Sequence, residues 1–177
     1  MRTNKLLGVK STPHKQRKKI LVKSSILIVL AILMSGCMST FHTKPYVTYE
    51  NKNHPLSNTS VFTTDGFLGN SNGQILSVNG VETSCWEVGC PIWVRVKPGT
   101  NKFTVSLSVY DNGIASYKVG VTEVVINEMK PKNVYKAKFD VVNTEFKVSI
   151  EDLGENSEYG IHLGLEGVNK KFYPVKF

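Results

Sequence analysis

An all-β fold is predicted from the sequence: an antiparallel β-sandwich of about seven strands that follows a signal peptide and a flexible tether. Apolar and polar residues alternate over residues 102–110, which is the pattern of a half-buried strand. Short runs rich in Val, Ile and aromatic residues recur about every 8–12 residues, between turn signals such as Asn79 followed by Gly80. No segment after residue 60 keeps helical periodicity over three turns, so helix is not expected there.

The predicted strands lie within residues 61–177, which form the predicted β-sandwich domain. In order they are 74–78, 92–96, 102–110, 114–126, 134–142, 145–150, 159–165 and 172–175, where 114–126 is one long strand or two short strands broken near Gly120. The acidic run 151–158 is predicted to be a loop. About 115 residues suffice for the core of one sandwich domain.

Residues 1–36 are predicted to be a signal peptide, because a basic segment precedes an apolar one. Eight of the 22 Lys and Arg residues lie there, the last of them at Lys23, together with no Asp or Glu. As a helix, the apolar segment 26–34 would be roughly 14 Å long, against about 30 Å for a bilayer core. It therefore suits a cleaved signal better than a permanent transmembrane helix.

The basic character of the chain belongs to this leader. Residues 37–177 hold 14 basic and 14 acidic residues, so the formal net charge of +8 does not extend to the predicted domain. Binding to nucleic acid requires excess positive charge on the folded surface, and no nucleic-acid partner is expected. Lys132, Lys136 and Lys138 would share one face of a strand, which we interpret as a solvated surface.

The leader ends in Met34, Ser35, Gly36 and Cys37, an apolar residue and two small residues before a cysteine. This ending resembles the lipobox of bacterial lipoproteins, although Leu is more usual where Met34 stands. The resemblance implies that the thiol of Cys37 receives a diacylglyceryl group, that a peptidase cuts before it and that the new amine is acylated. The lipid bilayer is then a partner, through acylated Cys37. The alternatives are an ordinary cleaved signal with Cys37 as a bystander, or an uncleaved anchor helix.

Met38, rather than Asp, follows the predicted lipidated cysteine. By the same resemblance, this implies a location in the cell envelope, on the outer membrane and facing the periplasm. Residues 37–60 are predicted to be the lipidated cysteine and its tether, because they are polar, contain Pro45 and Pro55 and show no sustained periodicity. A flexible tether of this length spans on the order of 25–30 Å.

Within the predicted domain, an apolar run at 92–96 leads into Pro98 and Gly99, and an alternating strand follows. A later turn leads into a strand that carries Tyr135. Over residues 74–150 this order resembles the small PEGA-type β-sandwich modules, although their later turn usually carries Gly where Asn133 stands here. The resemblance implies a β-sandwich that binds or attaches to a surface, and it implies no catalytic residue.

Cys85 and Cys90 are predicted to form a disulfide, because an even number of cysteines remains in an exported chain once Cys37 is set aside for lipid. A redox pair would lack the Cys-x-x-Cys spacing. A metal site would lack two further ligands at the expected spacing, so neither a metal nor a cofactor is expected. Trp86, inside the loop, is the candidate for contact with a partner, whereas Trp93 is expected to fill the core.

No catalytic residue is predicted. The sequence contains neither a Gly-x-Ser-x-Gly elbow nor a phosphate-binding loop. His162 has Glu158 and Glu166 four residues on either side, but neighbouring glycines such as Gly160 and Gly164 disfavour the helix that would group them. We interpret His162 as a surface histidine.

The predicted function is a non-enzymatic binding or structural module, anchored in the envelope, that presents the loop closed by Cys85 and Cys90 to a protein or glycan partner. One alternative is an envelope hydrolase or ligand carrier, which requires a concave pocket with converging polar groups. Another is an immunity or inhibitor lipoprotein that blocks an exported toxin.

Overall fold

The computed structural model describes residues 42–50, 53–64, 67–68, 71–85, 89–110, 117–142, 145–156 and 158–177, which belong to one compact unit, Ser39–Phe177. Most of these residues are in β-strands, and the helix among them is a single 3-10 turn at Leu56–Asn58. The predicted all-β fold is confirmed. In chain order the strands are β1 Tyr46–Val47, β2 Ser60–Thr63, β3 Phe67–Leu68, β4 Ser71–Val78, β5 Val81–Glu82, β6 Trp93–Val96, β7 Gly99–Tyr110, β8 Tyr117–Met129, β9 Asn133–Val142, β10 Glu145–Glu155, β11 Gly160–Leu163 and β12 Lys171–Pro174.

The strands form two larger sheets and one hairpin. The central sheet has the order β1-β6-β2-β9-β10. The outer sheet has the order β3-β4-β7-β8, with β5 paired to β4, and the terminal hairpin is β11-β12. Most neighbours are antiparallel, as predicted, but β1 runs parallel to β6 and β2 runs parallel to β9. The sandwich is therefore mixed rather than purely antiparallel.

The inner core lies between the outer sheet and the central sheet. Alternation in β7 turns Phe103 and Val105 inward, where the Phe103 ring stacks on Phe62 of β2 with ring centroids 4.1 Å apart. This confirms the half-buried strand predicted at 102–110. The buried members of this core are Phe62, Ile75, Val78, Val94, Val96, Phe103, Val105, Val124, Ile126, Met129, Tyr135 and Ala137.

A second core lies on the opposite face of the central sheet, which the terminal hairpin and the following tail cover. It is built from the buried residues Val61, Ile92, Trp93, Val134, Ile161 and Val175. Because β2 and β6 are buried at every position, the central sheet is the middle of three layers. The predicted β-sandwich has two layers, and the terminal hairpin adds the third.

The turn chemistry of the outer sheet agrees with the sequence. Asn79 and Gly80 have positive φ angles of 52° and 80°, which a tight hairpin turn requires, and they join β4 to β5 as predicted. Strand β8 runs through Gly120 unbroken, so of the two predicted alternatives the structure has the one long strand. A side chain at Gly120 would overlap the ring of Phe146 on β10, so this glycine permits close packing between the sheets rather than a turn.

The predicted acidic loop 151–158 is wrong over its first half, because β10 continues to Glu155. The acidic side chains face cations on β9 and on the turn before it: Lys138 lies 3.0 Å from Glu151 and Lys132 lies 3.0 Å from Glu155. An acidic run can therefore remain in a strand when the neighbouring strand supplies the opposite charge.

The predicted tether overlaps the domain. Tyr46 and Val47 form β1, at the edge of the central sheet. The indole Nε1–H of Trp93 donates to the carbonyl oxygen of His42 over 2.9 Å, and Thr59 and Ser60 are fully buried. The described residues between 42 and 60 thus belong to the folded unit, which contradicts the flexible tether predicted there.

Candidate functional site

A cleft of about 600 Å³ lies beside the face of the central sheet that carries the second core. We call this the outer face of the central sheet, and the face toward the outer sheet its inner face. We call the cleft the Arg95 cleft, after the one lining residue that comes from the middle of the sheet. Four segments line it: the chain around β1, the 3-10 turn, strand β6, and β12 with the tail after it. Its lining residues are Thr43, Lys44, Pro45, Val47, Leu56, Arg95, Lys171, Phe172, Tyr173, Pro174 and Lys176.

Strand pairing explains why these segments meet. Val47 lies opposite Arg95 in the parallel pairing of β1 with β6. Thr48 holds the register, because its amide and its hydroxyl both donate to the Arg95 carbonyl oxygen, over 3.2 and 3.1 Å. Arg95 is two residues after Trp93, so both side chains point to the face covered by the terminal hairpin. The amide of Val175 donates to the carbonyl oxygen of Tyr159 over 2.8 Å, which holds the tail on this face.

The Arg95 guanidinium is buried, and its described hydrogen-bond partners are neutral. Only 4% of the residue is exposed, and no described Asp or Glu forms a salt bridge with it. Its Nη1 donates to Thr59 Oγ1 and its Nη2 donates to the Lys176 carbonyl oxygen, each over 2.7 Å, and its Cζ lies 5.3 Å from the Phe177 ring centroid. Burial lowers the pKa of Arg95, and interaction with Tyr49 opposes this shift by a smaller amount.

Apart from Thr43, the rest of the lining is apolar or cationic. Lys44, Lys171 and Lys176 add three positive charges, and none of the lining residues is acidic. None of these lysines forms an ion pair with a residue that the structure describes, although the Nζ of Lys171 lies 5.6 Å from the Tyr173 ring centroid. An apolar cleft surrounded by like charges has the electrostatics of a site for an anionic ligand.

The structure brings Cys85 and Cys90 to disulfide-bonding distance, with their sulfur atoms 2.11 Å apart, as predicted. The loop is held on β4, where the amide of Cys90 donates to Gln74 Oε1 over 3.3 Å. Gly89 has a φ of +96°, and a Cβ there would lie 2.5 Å from Gln74 Nε2, so this position requires glycine. Trp86, the predicted partner contact, lies outside the described residues.

The other sequence-predicted residues are dispersed. Cys37 lies outside the described residues, and Trp93 is buried in the second core, which confirms its predicted packing role. His162 is exposed on β11, and its ring centroid lies 4.9 Å from that of Phe172. Nearby Glu166 pairs with Lys170, whose hydrogen bond and charge lower the pKa of that carboxyl.

Sequence reasoning missed Arg95, which was assigned to a strand without a functional role. The sequence did contain a signal for a buried charge, because both the even-numbered and the odd-numbered positions from Ile92 to Val96 include apolar residues. A strand of that kind is buried on both faces. The one charged residue within it therefore had to be a buried charge, a type of residue that clusters at functional sites.

Within the described ranges, no group of three or more His, Cys, Asp and Glu side chains is placed to hold a metal ion. In that same part of the chain, no helix is both long enough and apolar enough to cross a bilayer. Comparison of the chain with protein-family models, curated proteins and solved structures finds no match.

Proposed function

We propose that this chain is a bacterial cell-envelope lipoprotein, held on the outer membrane through lipid on Cys37, whose β domain is a non-enzymatic binding module. Its ligand site is the Arg95 cleft. The observation that carries the binding role is a cleft whose cationic and apolar lining surrounds a buried guanidinium, which has no carboxylate partner among the described residues.

The anchoring part of the proposal rests on the sequence. A basic segment, a short apolar segment, Ser35, Gly36 and Cys37 follow one another in the order of a lipoprotein signal. Each buried methylene of an acyl chain contributes about 0.8 kcal/mol, and two or more chains hold a protein stably on a bilayer. Lipid on Cys37 therefore suffices to keep the β domain at a membrane.

The binding part rests on the size and lining of the cleft. A volume of about 600 Å³ falls within the range of roughly 300–1,000 Å³ that small-molecule sites occupy. Six of its eleven lining residues are apolar or aromatic, as is usual for such sites, and four of the other five are cationic. A concave site of this kind is what the ligand-carrier alternative required.

Mass spectrometry of the intact protein from membranes of producing cells tests the anchor. The wild-type chain should begin at Cys37 and carry a diacylglyceryl mass on that residue. Cys37→Ser should abolish both the added mass and the membrane association. Cys85→Ser, a matched cysteine substitution within the domain, should keep them. A native protein that is unlipidated and begins at another residue would exclude the proposed anchor.

Native mass spectrometry of the extracted mature protein tests the cleft. We expect a small molecule to co-purify with the wild type and to be lost from Leu56→Trp, because Leu56 lines the cleft and is 42% exposed. Leu165→Trp is the matched control, since Leu165 is 69% exposed and lies outside the cleft. Equal recovery of the molecule with both variants would place the binding site elsewhere.

A further inference from the structure

We propose that the ligand of the Arg95 cleft is an amphiphilic carboxylate, a molecule with an apolar chain and one carboxylate head that binds at Arg95. This inference rests on the proposed function of the cleft as a ligand site. It adds the chemical class of the ligand, which follows from three properties of the cleft: its buried charge, the geometry of the guanidinium, and the apolar side chains that it leaves exposed.

The buried charge calls for an anion. A cation removed from water is unfavourable unless an opposite charge or a full set of hydrogen bonds compensates it. Arg95 is almost fully buried, and its described acceptors are two neutral oxygens, those of Thr59 and Lys176. A guanidinium has five N–H donors, so donors remain for a ligand.

The guanidinium geometry favours a carboxylate. The planar fork of arginine matches the two oxygens of a carboxylate and binds them with charge-assisted hydrogen bonds. One carboxylate also brings one negative charge, which balances the one positive charge of Arg95. Lys44, Lys171 and Lys176 line the same cleft and attract the anion from solution without being buried themselves.

The exposed apolar side chains favour a ligand with an apolar chain. Val47, Leu56 and Phe172 are each 42% exposed, and all three line this cleft. Exposed apolar side chains that cluster at one concave site indicate that a ligand or partner binds there and covers them. A hydrocarbon chain on them and a carboxylate on Arg95 would together satisfy both parts of the lining.

Calorimetry with four eight-carbon probes tests the inference on the full mature protein, held through its lipid in phosphatidylcholine nanodiscs, with empty nanodiscs as the blank. The probes are octanoate, octanamide, octylamine and octyl phosphate. Octanoate should bind one to one and about tenfold or more tightly than octanamide, a factor that one charge-assisted hydrogen bond can supply. Octylamine should bind most weakly, because it brings a fifth positive charge to the cleft.

Two variants locate the interaction. Arg95→Gln should bring octanoate binding down to that of octanamide, so that the ratio of the two affinities falls to about one. Leu56→Trp provides a second test that keeps the buried guanidinium in place: it should weaken binding of both probes, whereas Leu165→Trp should weaken binding of neither. The comparison of octanoate with octanamide on the wild type needs no substitution.

The outcomes separate this inference from the proposed function. Equal affinity for octanoate and octanamide would overturn the carboxylate assignment while leaving a binding module in place. Tighter binding of octyl phosphate than of octanoate would overturn it in favour of a phosphate ligand. If no probe binds, the amphiphile inference fails, and co-purification with wild type and Leu56→Trp still decides the binding role independently.

Discussion

The two faces of the central sheet are built from the same strands and differ in what they bury. On the inner face, Phe62, Val94 and Val96 pack into an apolar core against the outer sheet. On the outer face, Val61 and Trp93 form a smaller apolar cluster. Beside that cluster lies the buried guanidinium of Arg95. Successive residues of β2 and β6 therefore point alternately into an apolar core and toward a face that also buries a charge.

The difference indicates how stability and recognition are divided. Apolar burial is non-directional and scales with area, so the inner face supplies most of the cohesion between the sheets. Buried polar groups need matched partners, and the outer face supplies them: Tyr159 Oη donates to Thr63 Oγ1 over 3.0 Å, and Arg95 donates to Thr59. Polar groups held in fixed positions also give a binding site its specificity for a ligand.

Truncation of the inner face should produce the largest loss of stability. Phe62 is fully buried and its ring stacks on that of Phe103, so Phe62→Ala should cost about 3–5 kcal/mol of unfolding free energy. Urea denaturation followed by circular dichroism measures this. Val61→Ala, the neighbouring residue on the outer face, should cost less. An equal loss for the two would remove the distinction between the faces.

The sequence predicted the inner core better than the second core. Alternation over 102–110 identifies β7 and its inward residues, because one solvated face leaves a period-2 pattern. The central strands carry no such alternation, since the hairpin β11-β12 covers their second face. The sequence predicted strands at 159–165 and 172–175, but their position over Trp93 depends on contacts between residues far apart in the chain.

The candidate site was less accessible to sequence reasoning. The disulfide between Cys85 and Cys90 follows from cysteine count and spacing. The Arg95 cleft depends on β1, a two-residue parallel strand within a polar, proline-containing segment. Such a strand has no periodicity of its own. It is held from either side, where His42 accepts from Trp93 and Thr48 donates to Arg95.

The disulfide allows a test at the end of the outer sheet, where the chain crosses from β5 to β6. Replacement of Cys85 and Cys90 together by Ser should lower the unfolding free energy by about 2 kcal/mol, the entropy expected for so short a loop. Urea denaturation of the double variant measures the loss, with the reduced wild-type protein as control. A loss above that of Phe62→Ala would make the crossing, rather than the inner face, the main source of stability.

A smaller effect is expected where the outer face holds the N-terminal segment. Trp93→Phe removes the indole donor to the His42 carbonyl oxygen and should cost about 1 kcal/mol. Its main effect should be local: the amide of Thr48, which donates to Arg95, should exchange faster with deuterium. The amide of Ile75, which donates to Pro91, is the control and should change little. Equal acceleration at both amides would mean that Trp93 supports the whole domain.

The smallest change in stability is expected at Arg95, where the change in binding should be large. Arg95→Met keeps the length of the side chain and removes the cost of burying a cation, while it leaves Thr59 and Lys176 without a donor. These effects have opposite signs, and replacement of buried charge by well-packed apolar groups is often neutral. The unfolding free energy should therefore change by less than about 1 kcal/mol, while octanoate loses its advantage over octanamide. If Arg95→Met instead costs about 3 kcal/mol or more, Arg95 is a structural cross-link between Thr59 and the tail. Both faces of the central sheet would then serve stability, one through apolar packing and the other through the hydrogen bonds of Arg95.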